Sequence, residues 1–502
     1  MHYAMSWEEW GRLDGVGLSE LIRKKQLSTA EVSRQATDAA ALLNPQLEAV
    51  VETFDASMIV SQPSDTSSGP LHGAPVYLKD IGSGLAGQLS ENGSALYRGR
   101  RIPRTDPLIA NLLQAGLVPI GRAATAELGM AYDTTSTYQG LKVTRNPWHT
   151  AFSPGGSSGG SAALVSSGVV PIAHATDGAG SIRIPASLTG LIGLKVTRGR
   201  LPLPWLTSEY SNATFTEGAL TRTVRDMAAY LDAASKSHPP GNSFIPAAKN
   251  EESFLSSLER PVRKLRIGLS TSKWGRMPPC DGVISTRIEK VAHALAHVGH
   301  EVSALNDSEV ADWSTFWSSF QTFWSGIRPA TWALAYADDL PAEVEASLSP
   351  MTRQLWLHSK HYSKRDVLLH QAHKKIHALK MARIFERYDV LLTPVMPITA
   401  PKANGHLSLA NERNFDSYIQ DLLDAGRYVI PANETGLPAI SLPAGLDDKG
   451  VPVGFQLIGR WNEEALLLQV ARQYESENPE WFAQNPPIHV STFTQACTSF
   501  SE

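Results

Sequence analysis

Two glycine-rich runs that carry serines hold the residues whose types and spacing could do chemistry. Residues 153–161 read Ser-Pro-Gly-Gly-Ser-Ser-Gly-Gly-Ser, and residues 175–185 read Ala-Thr-Asp-Gly-Ala-Gly-Ser-Ile-Arg-Ile-Pro. Glycine at this density lets a backbone take positive φ and lets other groups come close. Ser157 and Ser158 precede Ala162-Ala-Leu-Val165, which continues as a helix. They therefore sit at a helix amino terminus, where unpaired N–H groups collect. A helix of about nine residues advances ~14 Å, and a strand of about five, read here as Val169–Ala173, returns ~16 Å. Ser181 is thus expected to come back beside Ser157.

Several chemistries compete for this corner. A phosphate cradle of the form GxxxxGK[ST] fails because Ser161 stands where lysine is needed. Gly156-Ser-Ser158-Gly-Gly160 matches GxSxG in form, but such an elbow follows a strand directly, and Thr150–Pro154 reads as a loop. A serine pair served by a lysine is the third reading. Gly–Ser runs are commonly linkers, yet a linker would not run straight into a patterned helix and strand.

The surrounding elements alternate between helix and strand. Residues 18–43 predict two helices, the second opened by a Ser28–Glu31 capping box and ended at Asn44-Pro45. Ala74–Leu78 predicts an apolar strand ending at Lys79-Asp80, residues 106–114 a helix, and Leu117–Ile120 a buried strand. Residues 61–70 predict a loop and 235–263 a surface excursion, after which strand 265–269, helix 283–298 and strand 301–305 resume the pattern. Residues 312–390 are expected to be mostly helical, followed by strands near 390, 439 and 453 and a helix from Glu463. This is an α/β sheet with helices on its faces. Hydrophobic residues at 42% and charged residues at 19% suit a large core and argue against disorder. A net charge of −4 leaves no electrostatic footprint for nucleic acid or an anionic membrane. Cys280 and Cys497 alone cannot build a disulfide framework or a four-thiolate zinc site. The amino terminus lacks a secretory pattern, and no apolar run approaches the ~18 residues that span a bilayer. A cytoplasmic protein is expected.

Several segments together resemble the amidase signature hydrolases, from near residue 18 to about 475. They are Gly73-Ala-Pro-Val-Tyr-Leu-Lys-Asp80, Gly155-Gly-Ser-Ser-Gly-Gly-Ser161, Thr176-Asp-Gly-Ala-Gly-Ser-Ile-Arg-Ile-Pro185, Gly193–Arg200, Gly436–Pro443 and Gly454–Gly459. The resemblance implies one α/β/α domain with a mixed sheet over residues 1–490, a frayed tail at 491–502, and amide cleavage with neither metal nor cofactor. Carried over residue by residue, Ser181 is the nucleophile. Ser157 is the bridging serine, preceded by a cis peptide bond, and Lys79 is the base. The N–H groups of Gly178, Ala179, Gly180 and Ser181 are the oxyanion donors, and Met130 and Ala131 lie near the scissile carbonyl. Two positions depart from the pattern. Ala179-Gly180 replaces the usual Gly-Gly, and alanine is disfavoured at positive φ. Gly121-Arg-Ala-Ala-Thr-Ala-Glu127 replaces a Gly-Lys-Thr-Asn run. The physics agrees with the triad. A serine needs a base to become a good nucleophile, and burial beside Val76 and Leu78 favours the neutral lysine.

Other residues receive plainer readings. Asp177 and Arg183 are expected to hold the nucleophile loop by a charge pair rather than to act as acid and base. His370, His373 and His377 share a helical face, as do His293, His297 and His300; both sets are read as solvated faces, not metal sites. The stripe Trp313, Phe316, Trp317, Phe320, Phe323 and Trp324 is either core or the wall of an acyl pocket, with Trp317 and Trp324 as the pocket candidates. The resulting expectation is hydrolysis of a small or medium apolar or aromatic amide. The resemblance leans towards branches acting on nylon cyclic dimers, aryl amides or fatty amides. The expected partner is that small molecule, and monomer and homodimer are both compatible. Rival readings are the A subunit of a tRNA amidotransferase, a binding module on the same fold, and an esterase using Ser158 with His406 or His489.

Overall fold

In the computed structural model, residues 4–55, 69–205, 214–237, 252–276, 278–309, 312–330 and 340–492 are described. Most of the expected loop at 61–70, much of the 235–263 excursion and nearly all of the 491–502 tail lie outside them, as does Trp332.

Eleven strands form one mixed sheet. They are β1 (Val50–Thr53), β2 (Pro75–Lys79), β3 (Val118–Ala123), β6 (Ile172–Asp177), β7 (Ile192–Lys195), β8 (Thr216–Thr221), β9 (Arg266–Leu269), β10 (Glu301–Ala304), β11 (Val390–Pro394), β12 (Ala439–Leu446) and β13 (Pro452–Ile458). Across the sheet they lie in the order β1-β3-β2-β6-β8-β7-β12-β13-β11-β9-β10. A short pair, β4 (Thr135–Ser136) and β5 (Lys142–Val143), stands apart. The central strands β2, β6, β8, β7 and β13 are buried throughout. Helices therefore cover both faces, and near-continuous apolar runs such as Ile192–Leu194 follow from that burial.

Strands β2 and β6 are parallel neighbours, with Val76 opposite Ile172 and Tyr77 opposite Ala173. Their carboxyl ends, Lys79 and Thr176-Asp177, thus emerge side by side, the usual ligand end of such a sheet. The helix Gly159–Ser166 lies between them in the chain and leads into β6. Strand β6 begins three residues later than the sequence pattern suggested. Val169 and Val170 instead donate to Leu164 O and close the helix, and Pro171 has no N–H to enter a ladder.

The Ser28–Glu31 capping box is present, with both reciprocal bonds made. The helix it opens runs past Pro45 to Leu47. Its stop is left-handed Glu48, with Asn44 Oδ1 accepting from the N–H groups of Ala49 and Val50. Proline so near a carboxyl terminus forfeits one bond without ending the helix.

Between residues 313 and 330 the expected single helix has three parts, the last of them a short α-helical turn, Arg328–Ala330. Trp313–Thr322 is α-helical, and Phe323–Ile327 forms one wide turn in which Arg328 N–H donates to Phe323 O. Such a turn shifts the register of the residues after it. Arg328, just after it, lies against Gly178 at the carboxyl end of β6.

Candidate active site

Lys79 closes β2 and is 3% exposed. Its Nζ donates to Ser157 Oγ and to Thr176 Oγ1, both at 2.8 Å. Burial drives its pKa well below the ordinary lysine value; the charges of Asp177 and Glu217 oppose that fall, and Arg328 adds to it. A neutral amine in this position can accept a proton from Ser157.

Ser157 follows a cis peptide bond from Gly156. A Cβ on Gly156 would lie 2.5 Å from Ala131 O and 2.7 Å from the carbonyl carbon of Tyr132, so glycine is required by the close approach of that stretch of chain. The carbonyl of Ser157 accepts from Ala126 N–H at 3.1 Å and Thr125 Oγ1 at 3.0 Å. The departure from the family run at 121–127 therefore keeps a working contact to the serine. Arg122 of the same run bonds Asp80 Oδ1 at 2.6 Å. Glu127 accepts from Ser94, Thr137, Ser349 and Thr352.

Ser181 is buried in the loop between β6 and the helix Arg183–Thr189. The 154–158 loop packs on the flanks of that loop. Ser158 Oγ donates to Thr176 O at 3.3 Å, and a Cβ on Gly155 would meet Pro185 Cα at 2.9 Å. Asp177 shapes the Ser181 loop by accepting from the N–H groups of Gly180 at 2.6 Å and Ile182 at 3.2 Å. Gly180 N–H is thus already engaged, which removes it from the four expected oxyanion donors. The N–H groups of Gly178, Ala179 and Ser181 make no hydrogen bond among the described residues. Positive φ falls on Gly180, at 114°, and not on Ala179. Alanine is accordingly tolerated where the pattern has glycine.

A family model described as Amidase matches residues 31–468. The chain belongs to the amidase signature family. As an amidase it is a hydrolase of carbon–nitrogen bonds in amides. It is 31% identical over 493 residues to a 6-aminohexanoate-cyclic-dimer hydrolase of Paenarthrobacter ureafaciens, covering 95% of this chain and 96% of that protein. It is 30% identical over 508 residues to the A subunit of a glutamyl-tRNA(Gln) amidotransferase of Thiobacillus denitrificans, covering 93% and 98%. The solved structure of a 6-aminohexanoate cyclic dimer hydrolase complexed with substrate superposes with a TM-score of 0.85 at 27% identity, covering 95% of this chain and 99% of that one.

Within this amidase, Asp177 and Arg183 form a buried pair, Arg183 Nε donating to Oδ2 at 3.0 Å and Nη2 to Oδ1 at 3.1 Å. Arg183 also reaches Val429 O, Gln456 and Asn433. Burial pushes the Asp177 carboxyl up, but Arg183 and Asn433 outweigh it and hold the pKa below the usual aspartate range. These contacts tie the nucleophile loop to β13 and to the helix Ile430–Thr435. Met130 and Ala131 are buried, and the adjoining Tyr132 donates its hydroxyl to Ala179 O at 2.7 Å.

Trp317 donates Nε1–H to Trp274 O at 2.9 Å, stacks on Trp313, and packs in the same apolar cluster as Ala131 and Ala179. Trp324 is buried, and the Arg328 guanidinium lies 4.8 Å from its ring. That guanidinium reaches the site, since a Cβ on Gly178 would meet Arg328 Nη1 at 3.1 Å. Burial lowers the Arg328 pKa to about 10.

The histidine faces are corrected in part. His370 and His377 are 1% exposed rather than solvated, because they pack on the aromatic helix: His370 stacks on Phe323 at 4.9 Å, and His377 meets Phe316 at 4.9 Å. Burial lowers their pKa values to about 3 and about 4, so both are neutral. His293 and His297 are exposed, whereas His300 is buried and accepts from Leu265 N–H. Among the described residues no cluster of His, Cys, Asp and Glu could hold a metal ion, and no helix is long and apolar enough to cross a membrane. His406 is exposed, and His489 packs against Gly168, beyond the far end of the helix that Ser158 begins.

Sequence reasoning did not single out Thr176, Tyr132 as a loop support, or Arg328. Thr176 stands inside a quoted motif and could have been found there. Arg328, a lone cation four residues after Trp324 in an aromatic stripe, was the signal for its own position.

Proposed function

We propose that this amidase cleaves a small or medium carboxamide with an apolar or aromatic acyl group, through an acyl-Ser181 intermediate. The observation that carries the reading is the buried, deprotonation-prone Lys79 with its Nζ 2.8 Å from Ser157 Oγ. Ser181 Oγ attacks the carbonyl carbon. Its proton passes to Ser157, whose own proton passes to Lys79. The N–H groups of Gly178, Ala179 and Ser181 receive the oxyanion. On collapse the carbon–nitrogen bond breaks, and Ser157 protonates the departing nitrogen while Lys79 returns a proton to Ser157. Water then attacks the ester, with the same groups acting in reverse, and the carboxylate leaves.

The cyclic amide named for the relative from Paenarthrobacter makes cyclic dimers of ω-amino acids a fitting substrate class. The match to the A subunit of an amidotransferase supports a second reading, in which the same triad releases ammonia from glutamine for a partner. A panel of acyl p-nitroanilides, aryl amides, primary amides, cyclic lactams and glutamine, assayed after dialysis against a chelator, distinguishes them. Hydrolysis of apolar or cyclic amides with no loss on chelation is the expected result. Turnover of glutamine alone would favour the second reading, and activity restored only by zinc would refute the metal-free mechanism.

A further inference from the structure

The main-chain N–H of Lys79 donates to Nδ1 of His174 at 3.2 Å. An amide can only donate, so Nδ1 is the unprotonated nitrogen, and the neutral imidazole carries its proton on Nε2. Nε2 lies 2.5 Å from Oε2 of Glu217, whose other oxygen accepts from the N–H and the hydroxyl of Ser83 at 3.0 and 3.1 Å. Both side chains are wholly buried. The pair therefore carries one net negative charge.

The β6–β8 register builds this arrangement. Thr176 faces Glu217 and His174 faces Ala219, which makes His174 and Glu217 diagonal neighbours on one face of the sheet. Thr176, between them and the active site, is the residue that accepts from Lys79 Nζ. A Cβ on Gly82 would meet Thr176 at 2.6 Å and Glu217 at 3.0 Å, so glycine there lets the chain after β2 close over the carboxylate.

The other charges around Lys79 are Asp177, Arg328 and the adjoining Asp80. Asp177 is matched by Arg183 and Asp80 by Arg122. Among the described residues Glu217 pairs with no lysine or arginine. We propose that His174 and Glu217 are positioning residues for Lys79. His174 fixes the main chain of the lysine, and Glu217 supplies the negative charge that sets the pH at which its amine becomes neutral. This rests on the reading of Lys79 as the base.

The pH profile of kcat/KM tests it. Glu217→Gln removes the charge and so destabilises the ammonium form of Lys79. The ascending limb should move to lower pH by about one unit, which is roughly a tenfold rise in the neutral fraction below the wild-type limb. His174→Leu removes the acceptor of the Lys79 main-chain N–H and one hydrogen-bond partner of Glu217, and should displace the limb from its wild-type position while also lowering kcat. A merely structural role would lower kcat with the limb unmoved. An unmoved limb in either variant that melts as a folded protein overturns the inference. Lys79→Ala separates the two layers: if activity with an ascending limb survives without the lysine, the base assignment itself fails, and the positioning pair falls with it. If the lysine is required and the limb stands still in the two variants, this inference alone fails.

Discussion

Ser181→Ala is expected to abolish turnover, and Lys79→Ala and Ser157→Ala each to lower kcat by a factor on the order of 10⁴ or more, the scale seen when a catalytic triad member is lost. On the proposed path the three groups act as one unit, with Lys79 Nζ donating to Ser157 Oγ and all three side chains buried. Removing any one of them breaks the proposed path. The double variant Lys79→Ala/Ser157→Ala should therefore be little slower than either single variant. Steady-state rates on the best amide of the panel provide the check. Near-wild-type rates for Lys79→Ala at neutral pH, or fully additive losses, would contradict a shared path.

The largest expected effect on stability comes from Arg183→Met. Asp177 and Arg183 are both fully buried, and the arginine alone supplies two bonds to the carboxylate. Removing one partner of such a pair leaves an unmatched buried charge and costs about 3–5 kcal/mol. Urea unfolding at neutral pH measures this, and a loss under about 1 kcal/mol would show that Asn433 and the loop amides suffice to hold Asp177. The pH dependence has a definite sign. The folded pKa of Asp177 lies below its unfolded value, so its contribution is fully present above the ordinary aspartate range. It is lost as pH falls towards the depressed folded value. The wild type should therefore lose stability in acid through this group, and Arg183→Met should show a weaker acid dependence.

Local sequence grammar accounts for much of the structure. The Ser28–Glu31 capping box, the helix at 107–114 and the strands ending at Lys79 and Pro394 all have signals within a few residues of themselves. The two serine loops could be brought together from helix and strand lengths alone, although β6 starts later than the apolar run suggested, because Pro171 cannot join a ladder. What escaped depends on contacts between distant segments. Pro45 marks a helix end in isolation, but here the stop belongs to Glu48 and Asn44. The spacing of His370 and His377 gives a face without saying whether that face meets water or Phe316 and Phe323. Ala179 is harmless because Gly180, one residue on, takes the positive φ. The His174–Glu217 pair joins residues from two antiparallel strands and leaves no local trace. Thr176 in its motif and Arg328 in the aromatic stripe did leave local signals, but their contacts to Lys79 and to Gly178 arise only in the folded chain.

The central claim is that Ser181, and not Ser158, is the nucleophile raised by Lys79 through Ser157. A fluorophosphonate reacts with a serine whose neighbouring base removes its proton. Labelling the intact enzyme, digesting it and mapping the adduct by mass spectrometry tests the claim most directly. The account predicts a single adduct on Ser181, strongly slowed in Lys79→Ala. An adduct on Ser158, or labelling of Ser181 at an unchanged rate without Lys79, would contradict it.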